Sequence, residues 1–147
     1  MRFATRRPPA DHVPVDHVIA PDGSEVRVLV GLAGGGLAHF RLNPQAVSVA
    51  VHHRSVEEIW YVVSGRGQIW RRTDEDEEIV DLEPGVSLTI PVKTDFQFRA
   101  FGPNSLEILG VTIPPWPGND EAIRSQGPWT STLDPSSESS TGASVTD

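Results

Sequence analysis

The stretch AVSVAVHHRSVEEIWYVVSGRG, residues 46–67, carries two adjacent histidines at the end of a run that alternates valine with small side chains. Neighbouring side chains on a β-strand point to opposite faces, so only one of these histidines can lie inside a barrel or sandwich. His53 shares its face with three valines, whereas His52 shares its face with serine and alanine. Because branched apolar residues favour the core face of a strand, we expect His53 to point inward and His52 outward.

Short apolar runs recur between about residues 15 and 113 without a sustained helical period. They predict strands at residues 16–20, 25–30, 37–42, 47–53, 58–63, 68–72, 79–82, 87–90, 95–101 and 106–113. Turn sequences such as PDG at 21–23 separate them. Many short strands with no helices between them predict an all-β fold of mostly antiparallel strands, a sandwich or barrel with at most one or two short helical turns. One such turn is expected in GNDEAIRSQ, residues 118–126, with Asn119 as its cap.

The chain has 147 residues, a formal net charge of −8 and no cysteine. We expect one domain at residues 15–130, an N-terminal extension at 1–14 and a disordered polar tail at 131–147, which is poor in apolar residues. The acidic balance argues against nucleic acid and anionic membranes as partners, since both require clustered basic residues. The N-terminus lacks the apolar run of a signal peptide and no segment reaches the length of a membrane span, which predicts a cytoplasmic protein.

Side-chain alternation also orients other predicted strands. The ninth predicted strand turns Phe96 and Phe98 inward and Gln97 outward, and the third turns His39 outward. The fifth is apolar on both faces, so alternation does not place Glu58. Both faces of that strand are therefore expected to be covered, the outer one by a partner subunit in a homodimer.

Two motifs in this region resemble those of the cupin superfamily of small jelly-roll barrels. The first, G-x5-H-x-H-x(3,4)-E-x6-G, aligns in order with Gln45, Val51, His53, Glu58 and Gly65. The second, G-x5-P-x-G-x2-H-x3-N, aligns in order with Gly85, Pro91, Lys93, Phe96 and Ala100. The resemblance covers about residues 28–113 and implies a cupin-type jelly-roll β-barrel in which Glu58 lies inside, beside His53.

Members of that superfamily typically hold a divalent metal with three histidines and a glutamate. Val51 and Phe96 replace two of those histidines, which leaves His53 and Glu58. Open zinc sites and non-haem iron sites use three protein ligands, so we expect no tightly bound metal and no other cofactor. A divalent metal held by His53, Glu58 and a further ligand is the alternative.

The sequence also predicts a pocket for a small organic ligand, because such sites combine an apolar lining with a few convergent polar groups. His53 and Glu58 are the predicted catalytic residues. The predicted pocket and substrate-binding residues are Val51, Arg54, Trp60, Trp70, Phe96 and Phe98. A glutamate buried among aromatic rings should have a raised pKa, and the histidine should be held as a cation or as one tautomer. Both states suit proton transfer near neutral pH.

Three functions are compatible with these residues. The preferred hypothesis is a metal-independent isomerase, cyclase or epimerase that uses His53 and Glu58 as an acid–base pair. The alternatives are a non-catalytic ligand-binding or sensing protein and a metal-dependent oxygenase or cyclase. Arg54 is the candidate partner for a substrate carboxylate. The proline-rich segment TIPPWPGNDEA at 112–122 is expected to cross the outside of the barrel with Trp116 as its anchor.

Overall fold

The computed structural model describes residues 3–8 and 18–133 of the chain. In this part the backbone forms eleven strands: β1 (Val18–Ile19), β2 (Glu25–Leu32), β3 (Gly35–Leu42), β4 (Val51–His53), β5 (Glu57–Ser64), β6 (Gly67–Arg72), β7 (Glu77–Leu82), β8 (Ser87–Ile90), β9 (Asp95–Ala100), β10 (Leu106–Ile113) and β11 (Ala122–Arg124). The all-β prediction is confirmed.

The strands pair antiparallel in two sheets. The order is β1-β2-β3-β10-β5-β8 in the six-stranded sheet and β11-β4-β9-β6-β7 in the five-stranded sheet. Apolar side chains from both sheets meet in one core, with Trp60 and Ile108 from the first sheet and Ile69, Phe96 and Phe98 from the second. This is the predicted jelly roll, and its interior lies between the two sheets.

The predicted strand at 47–53 is regular only over its last three residues. Before them, the N–H groups of Ser48 and Val49 donate at 2.9 and 2.8 Å to two separate parts of the chain, so no continuous ladder forms. The predicted orientation nevertheless holds. His53 is buried, whereas the His52 side chain is 32% exposed.

The segment predicted to form a helical turn contains one 3-10 turn, Asn119–Glu121, followed directly by β11. Gly118 occupies the cap position, and no side chain caps the turn, so the prediction of Asn119 as the cap is wrong. β11 pairs with β4 at the edge of the five-stranded sheet and was missed by the sequence pattern. Among the described residues, no helix is long and apolar enough to cross a membrane.

Residues 131–133, assigned to the polar tail by the sequence, pack against the barrel. Ser131 Oγ and the N–H of Thr132 both donate to the carbonyl of Val47 at 3.0 Å, and Leu133 packs against the core. The domain therefore extends at least to Leu133 instead of ending at residue 130. The parts of the predicted extension, domain start and tail that lie outside the described residues are 1–2, 9–17 and 134–147.

In two turns, a residue with a side chain adopts the left-handed backbone conformation that is usually found at glycine. Gln45 and Lys93 stand where the cupin motifs have glycine, and both adopt left-handed backbone angles, with φ of 70° and 65°. This region is unfavourable for residues with a Cβ atom. Lys93 is exposed, and its N–H donates to the carbonyl of His53 at 3.1 Å, which joins this turn to the end of β4.

Lys93→Gly is expected to stabilise the protein by about 1 kcal/mol, because relief of the left-handed strain exceeds the added chain entropy of glycine in the unfolded state. Urea unfolding of Lys93→Gly beside Lys93→Ala measures this gain, since alanine removes the same side chain and keeps the strain. Equal free energies of unfolding for the two variants would contradict the expected gain.

The strand β5 has one buried and one exposed face. Glu58 and Trp60 are buried on the inner face, at 5% and 2% exposure. On the outer face Ile59 and Tyr61 are 48% and 50% exposed. The described residues of the same chain therefore do not cover this face, although the sequence led us to expect that something would. The homodimer that would cover it stays a prediction.

Candidate functional site

A cavity of about 510 Å³ lies at one end of the interior, bounded by β2, β3, β5 and the segment that follows β10. Its lining is largely apolar. The polar residues among the lining are Asp22, His53, Glu58, Thr112 and Asn119. A volume of this size and an apolar wall with few polar groups are typical of sites for small organic molecules.

Glu58 enters the cavity from the inner face of β5, where alternation places it with Trp60. Its Oε1 accepts a hydrogen bond from Trp60 Nε1. Burial raises the pKa of Glu58 to about 7. The hydrogen bond from Trp60 opposes this rise, and the charge of Asp22 adds to it. Near neutral pH both protonation states of the carboxyl group are therefore populated.

His53 lies at the end of β4, and its Nδ1 is 3.6 Å from Glu58 Oε2. That distance is too long for a hydrogen bond, and Nδ1 is buried with no partner in the described part of the chain. Burial lowers the pKa of His53 to about 4, although the charge of Glu121 acts in the opposite direction. This lowered pKa favours a neutral imidazole at pH 7 over the cation that the sequence offered as one of two alternatives.

Asp22 is a cavity carboxyl that the sequence reasoning missed. It lies in the PDG turn before β2, which we interpreted only as a turn. Asp22 Oδ1 accepts hydrogen bonds from the N–H of Ser24 at 3.0 Å and from Ser24 Oγ at 2.7 Å. Burial raises the pKa of Asp22 despite these two bonds. No local pattern distinguishes it from an ordinary turn aspartate, so only the folded chain reveals it.

Of the predicted pocket residues, Trp60 and Phe96 line the cavity. Their rings meet edge to face, with centroids 5.9 Å apart. Val51 and Phe98 are each 1% exposed but belong to the core behind that wall, because Phe98 packs on the far side of Trp60 at 5.0 Å. They support the lining and do not form it.

Trp70 and Arg54 also lie outside the lining, unlike their predicted placement. Trp70 pairs with Gln97 on the outward side of the five-stranded sheet, where its Nε1 donates to Glu77 Oε2 at 2.8 Å. Arg54 is exposed, and its N–H donates to the carbonyl of Glu121 at 2.9 Å. Neither side chain is placed to meet a ligand in the cavity.

The proline-rich segment after β10 contributes to the cavity rather than crossing the outside of the barrel. Trp116 is part of the lining, and its ring meets the ring of His53 at a centroid distance of 4.9 Å and an angle of 75°. Phe96 meets the same imidazole at 5.3 Å and 84°. The two aromatic edges fix the plane of His53 without a hydrogen bond to Nδ1.

Glu121 holds the turn that follows His53. It is 4% exposed, and its Oε2 accepts hydrogen bonds from the N–H groups of Ser55 and Val56, the latter at 2.7 Å. Its Oε1 accepts from Ser55 Oγ at 2.9 Å. Burial acts to raise the pKa of Glu121, but the hydrogen bonds from Ser55 and Val56 outweigh it and lower the pKa. Glu121 is thus an ionised structural carboxylate.

A second polar cluster has the composition of a Ser-His-Asp triad but not its geometry. Ser125 Oγ donates to Asp95 Oδ1 at 2.6 Å, and His52 Nδ1 lies 3.0 Å from the same hydroxyl and 3.2 Å from the same carboxylate. In a triad the base contacts nucleophile and carboxylate through different ring nitrogens. This cluster therefore ties the chain after β11 to β9 and does not activate a nucleophile.

The side chains do not fit the metal centre that the cupin resemblance implies. The described residues contain no group of three His, Cys, Asp or Glu side chains that could hold an ion. His39 Nε2 pairs with Glu107 at 2.8 Å on the outer side of the sheet. The amide of Gln97 donates to the carbonyls of Ser48 and Trp129 at 2.8 and 2.9 Å. Within residues 3–8 and 18–133, His53 and Glu58 have no third ligand, whereas zinc and non-haem iron sites use three.

The sequence profile of the family described as Cupin domain matches residues 38–112, just over half of the chain. No curated protein sequence matches the chain. Among solved structures, KdgF from Halomonas sp. superposes with a TM-score of 0.55 at 20% identity, over 67% of this chain and 87% of KdgF. Oxalate decarboxylase from Bacillus subtilis superposes with a TM-score of 0.64 at 16% identity, over 75% of this chain and 30% of the decarboxylase.

The capsular polysaccharide assembling protein CapF from Staphylococcus aureus gives a TM-score of 0.62 at 16% identity, over 78% of this chain and 35% of CapF. This chain thus spans about a third of the length of CapF and of the decarboxylase. At these identities the likeness shows a shared fold. The profile match covers both motifs up to Phe96 and Ala100 and most strands of the two sheets. The chain belongs to the cupin family.

Proposed function

We propose that this cupin binds a small organic molecule in the cavity and moves protons on it without a metal, with Glu58 as the acid–base residue. The observation that carries the proposal is the carboxyl group of Glu58, whose pKa is raised to about 7 where it lines the cavity. A group with a pKa near the working pH is present in both protonation states, so it can accept a proton and return it. Isomerases, epimerases and cyclases need such transfers. A cytoplasmic location is part of this proposal.

In the proposed step, Oε2 of ionised Glu58 takes a proton from the bound molecule, and the protonated group returns it at the product position. Trp60 Nε1 donates a hydrogen bond to Oε1 of Glu58, so Oε2 is the oxygen left for the proton transfer. Neutral His53 presents an unpartnered Nδ1 3.6 Å from that oxygen, so it is placed to hydrogen-bond and orient the reacting group. The apolar lining limits competition from water.

A non-catalytic binding or sensing protein is the second candidate. The 3.6 Å separation favours it, because His53 and Glu58 make no direct hydrogen bond along which a proton could pass between them. For the metal-dependent oxygenase or cyclase, His53 and Glu58 do not make a complete ligand set.

Glu58→Gln is expected to lower the rate about a hundredfold or more while ligand affinity is nearly retained, because the change keeps the shape and removes the titrating proton. Compounds that raise the melting temperature of the protein would be incubated in D2O, and deuterium incorporation followed by NMR. Glu57→Gln, on the exposed face of the same strand, is the matched control.

The outcomes of this experiment separate the candidates. Exchange that is lost in Glu58→Gln and kept in Glu57→Gln supports the enzyme. Binding without exchange in the unmutated protein, or exchange that Glu58→Gln leaves at the same rate, contradicts the proposed role of Glu58. A stoichiometric transition metal by elemental analysis, lost on His53→Ala, would instead favour the metal-dependent alternative.

A further inference from the structure

The ionisable groups of the cavity are acidic or neutral. Among the described residues that line it, Asp22, His53 and Glu58 titrate, and none is Lys or Arg. Arg54, the predicted partner of a substrate carboxylate, is exposed and outside the lining. A carboxylate or phosphate bound here would be buried beside two carboxyl groups without a compensating cation, which is strongly unfavourable. This lining therefore favours a neutral or cationic ligand over an anionic one.

The titratable side chains of the cavity offer hydrogen-bond acceptors when they are deprotonated. Asp22 Oδ1 accepts hydrogen bonds from Ser24, and Glu58 Oε1 accepts one from Trp60. The second oxygen of each carboxyl group is therefore left for a ligand. Nδ1 of His53 is buried, in a residue that is 5% exposed, and has no partner within residues 3–8 and 18–133. A buried polar atom without a partner is costly, so a ligand that donates hydrogen bonds at this point is expected to satisfy it.

Aromatic rings surround these acceptors. Phe40, Trp60, Phe96 and Trp116 all line the cavity. Trp60 contacts Phe40 at a centroid distance of 5.6 Å and Phe96 at 5.9 Å, with interplanar angles of 42° and 88°, so the rings wall the cavity from more than one direction. The electron-rich faces of aromatic rings attract organic cations, most strongly where water is excluded.

We propose that the cavity takes an organic ammonium ion, whose charge is compensated by the carboxylate of Asp22 and whose carbon skeleton packs against Trp60 and Trp116. The ammonium N–H groups supply donors for the second carboxylate oxygen of Asp22 and for His53 Nδ1, and Oε2 of Glu58 stays free for the proposed proton transfer. This inference rests on the proposed ligand site and adds the class of molecule that it binds. It also assigns to Asp22 a role in selecting that class.

Calorimetric titration of the full chain with matched probes tests the inference. The probes are an ammonium, an alcohol and a carboxylate on the same skeleton, for example 2-phenylethylammonium, 2-phenylethanol and phenylacetate, repeated on a shorter and a longer chain. The ammonium member should bind at least about tenfold more tightly than the alcohol, and the carboxylate most weakly. Asp22→Asn should remove most of that preference and leave the affinity for the alcohol unchanged, whereas Asp81→Asn, on exposed β7, should change neither.

The results distinguish this inference from the function on which it rests. Tighter binding of the alcohol or the carboxylate would overturn the ammonium proposal and leave a small-molecule site. A preference for ammonium that survives Asp22→Asn would overturn the role of Asp22. If no probe on any skeleton binds, the ammonium proposal fails. The proposed function fails separately if no compound of any charge raises the melting temperature.

Discussion

Glu58→Gln should make the protein more stable than the unmutated chain by about 3 kcal/mol at pH 8 and leave the two nearly equal at pH 4. The reason is that burial raises the pKa of Glu58 from 4.5 to about 7. The folded state therefore holds this proton more tightly than the unfolded state does. The resulting stabilisation is complete below pH 4.5 and is lost as the pH rises through 7.

His53 has the opposite effect in nearly the same pH range. Burial lowers the pKa of His53 from 6.5 to about 4, so between these values the unfolded chain binds the extra proton and stability increases with pH. In the unmutated protein the two contributions largely cancel. In Glu58→Gln only the contribution of His53 remains, so the free energy of unfolding of this variant should increase as the pH rises from 4 to 6.5.

Urea unfolding from pH 4 to 8 measures both effects. Glu57→Gln, at the exposed neighbouring position, controls for the loss of one carboxyl group from β5. An unmutated protein that becomes more stable than Glu58→Gln as the pH rises would show that Glu58 is favoured in its ionised form. That result would contradict the raised pKa of Glu58.

Glu121→Ala is expected to destabilise the protein by about 3 kcal/mol or more. The change leaves the N–H groups of Ser55 and Val56 without an acceptor, and an unsatisfied buried donor costs about 1–3 kcal/mol. Val56 is 0% exposed, so water cannot replace the lost bond there. Glu121→Gln retains one acceptor oxygen and should lose roughly half as much.

The stabilisation by Glu121 should also depend on pH. Hydrogen bonds lower the pKa of this carboxylate in the folded state, so its contribution is present above the unfolded value of 4.5 and is lost as the pH falls through the folded value. Urea unfolding at pH 7 and below pH 4 measures this. Asp120→Ala, an exposed neighbour in the same 3-10 turn, is the control. If Glu121→Ala costs no more than Asp120→Ala, the carboxylate does not hold the turn.

The inward placement of His53 followed from alternation alone, because the two faces of its strand differ clearly in composition. Glu58 could not be placed in this way, since both faces of β5 are apolar, and only the cupin motif put it inside. Trp70 was predicted to line the pocket. It lies instead on the outward side of the sheet, where it is nevertheless only 2% exposed. Its opposite neighbour Gln97 is covered there by the segment around Trp129, a long-range contact without a local signature.

The remaining differences between the sequence prediction and the structure lie in segments without a periodic pattern of apolar residues. Trp116 follows two prolines, and proline fixes the backbone without indicating which side of the barrel the chain will cross. Asp22 occupies a turn whose residues are typical of any turn. Both side chains reach the cavity because the connections that carry them fold over its end, which depends on tertiary packing.

The most direct test of the proposed proton transfer is an NMR titration of the protein labelled with 13C in glutamate and 15N in histidine, assigned with Glu58→Gln and His53→Ala. We expect the Glu58 carboxyl group to titrate near pH 7 and the His53 ring to stay neutral down to about pH 4. A Glu58 pKa below 4.5 together with a His53 pKa above 6.5 would mean that the two groups form a permanent ion pair. Glu58 could then not exchange protons near neutral pH, and the proposed function, in which Glu58 is the acid–base residue, would be wrong.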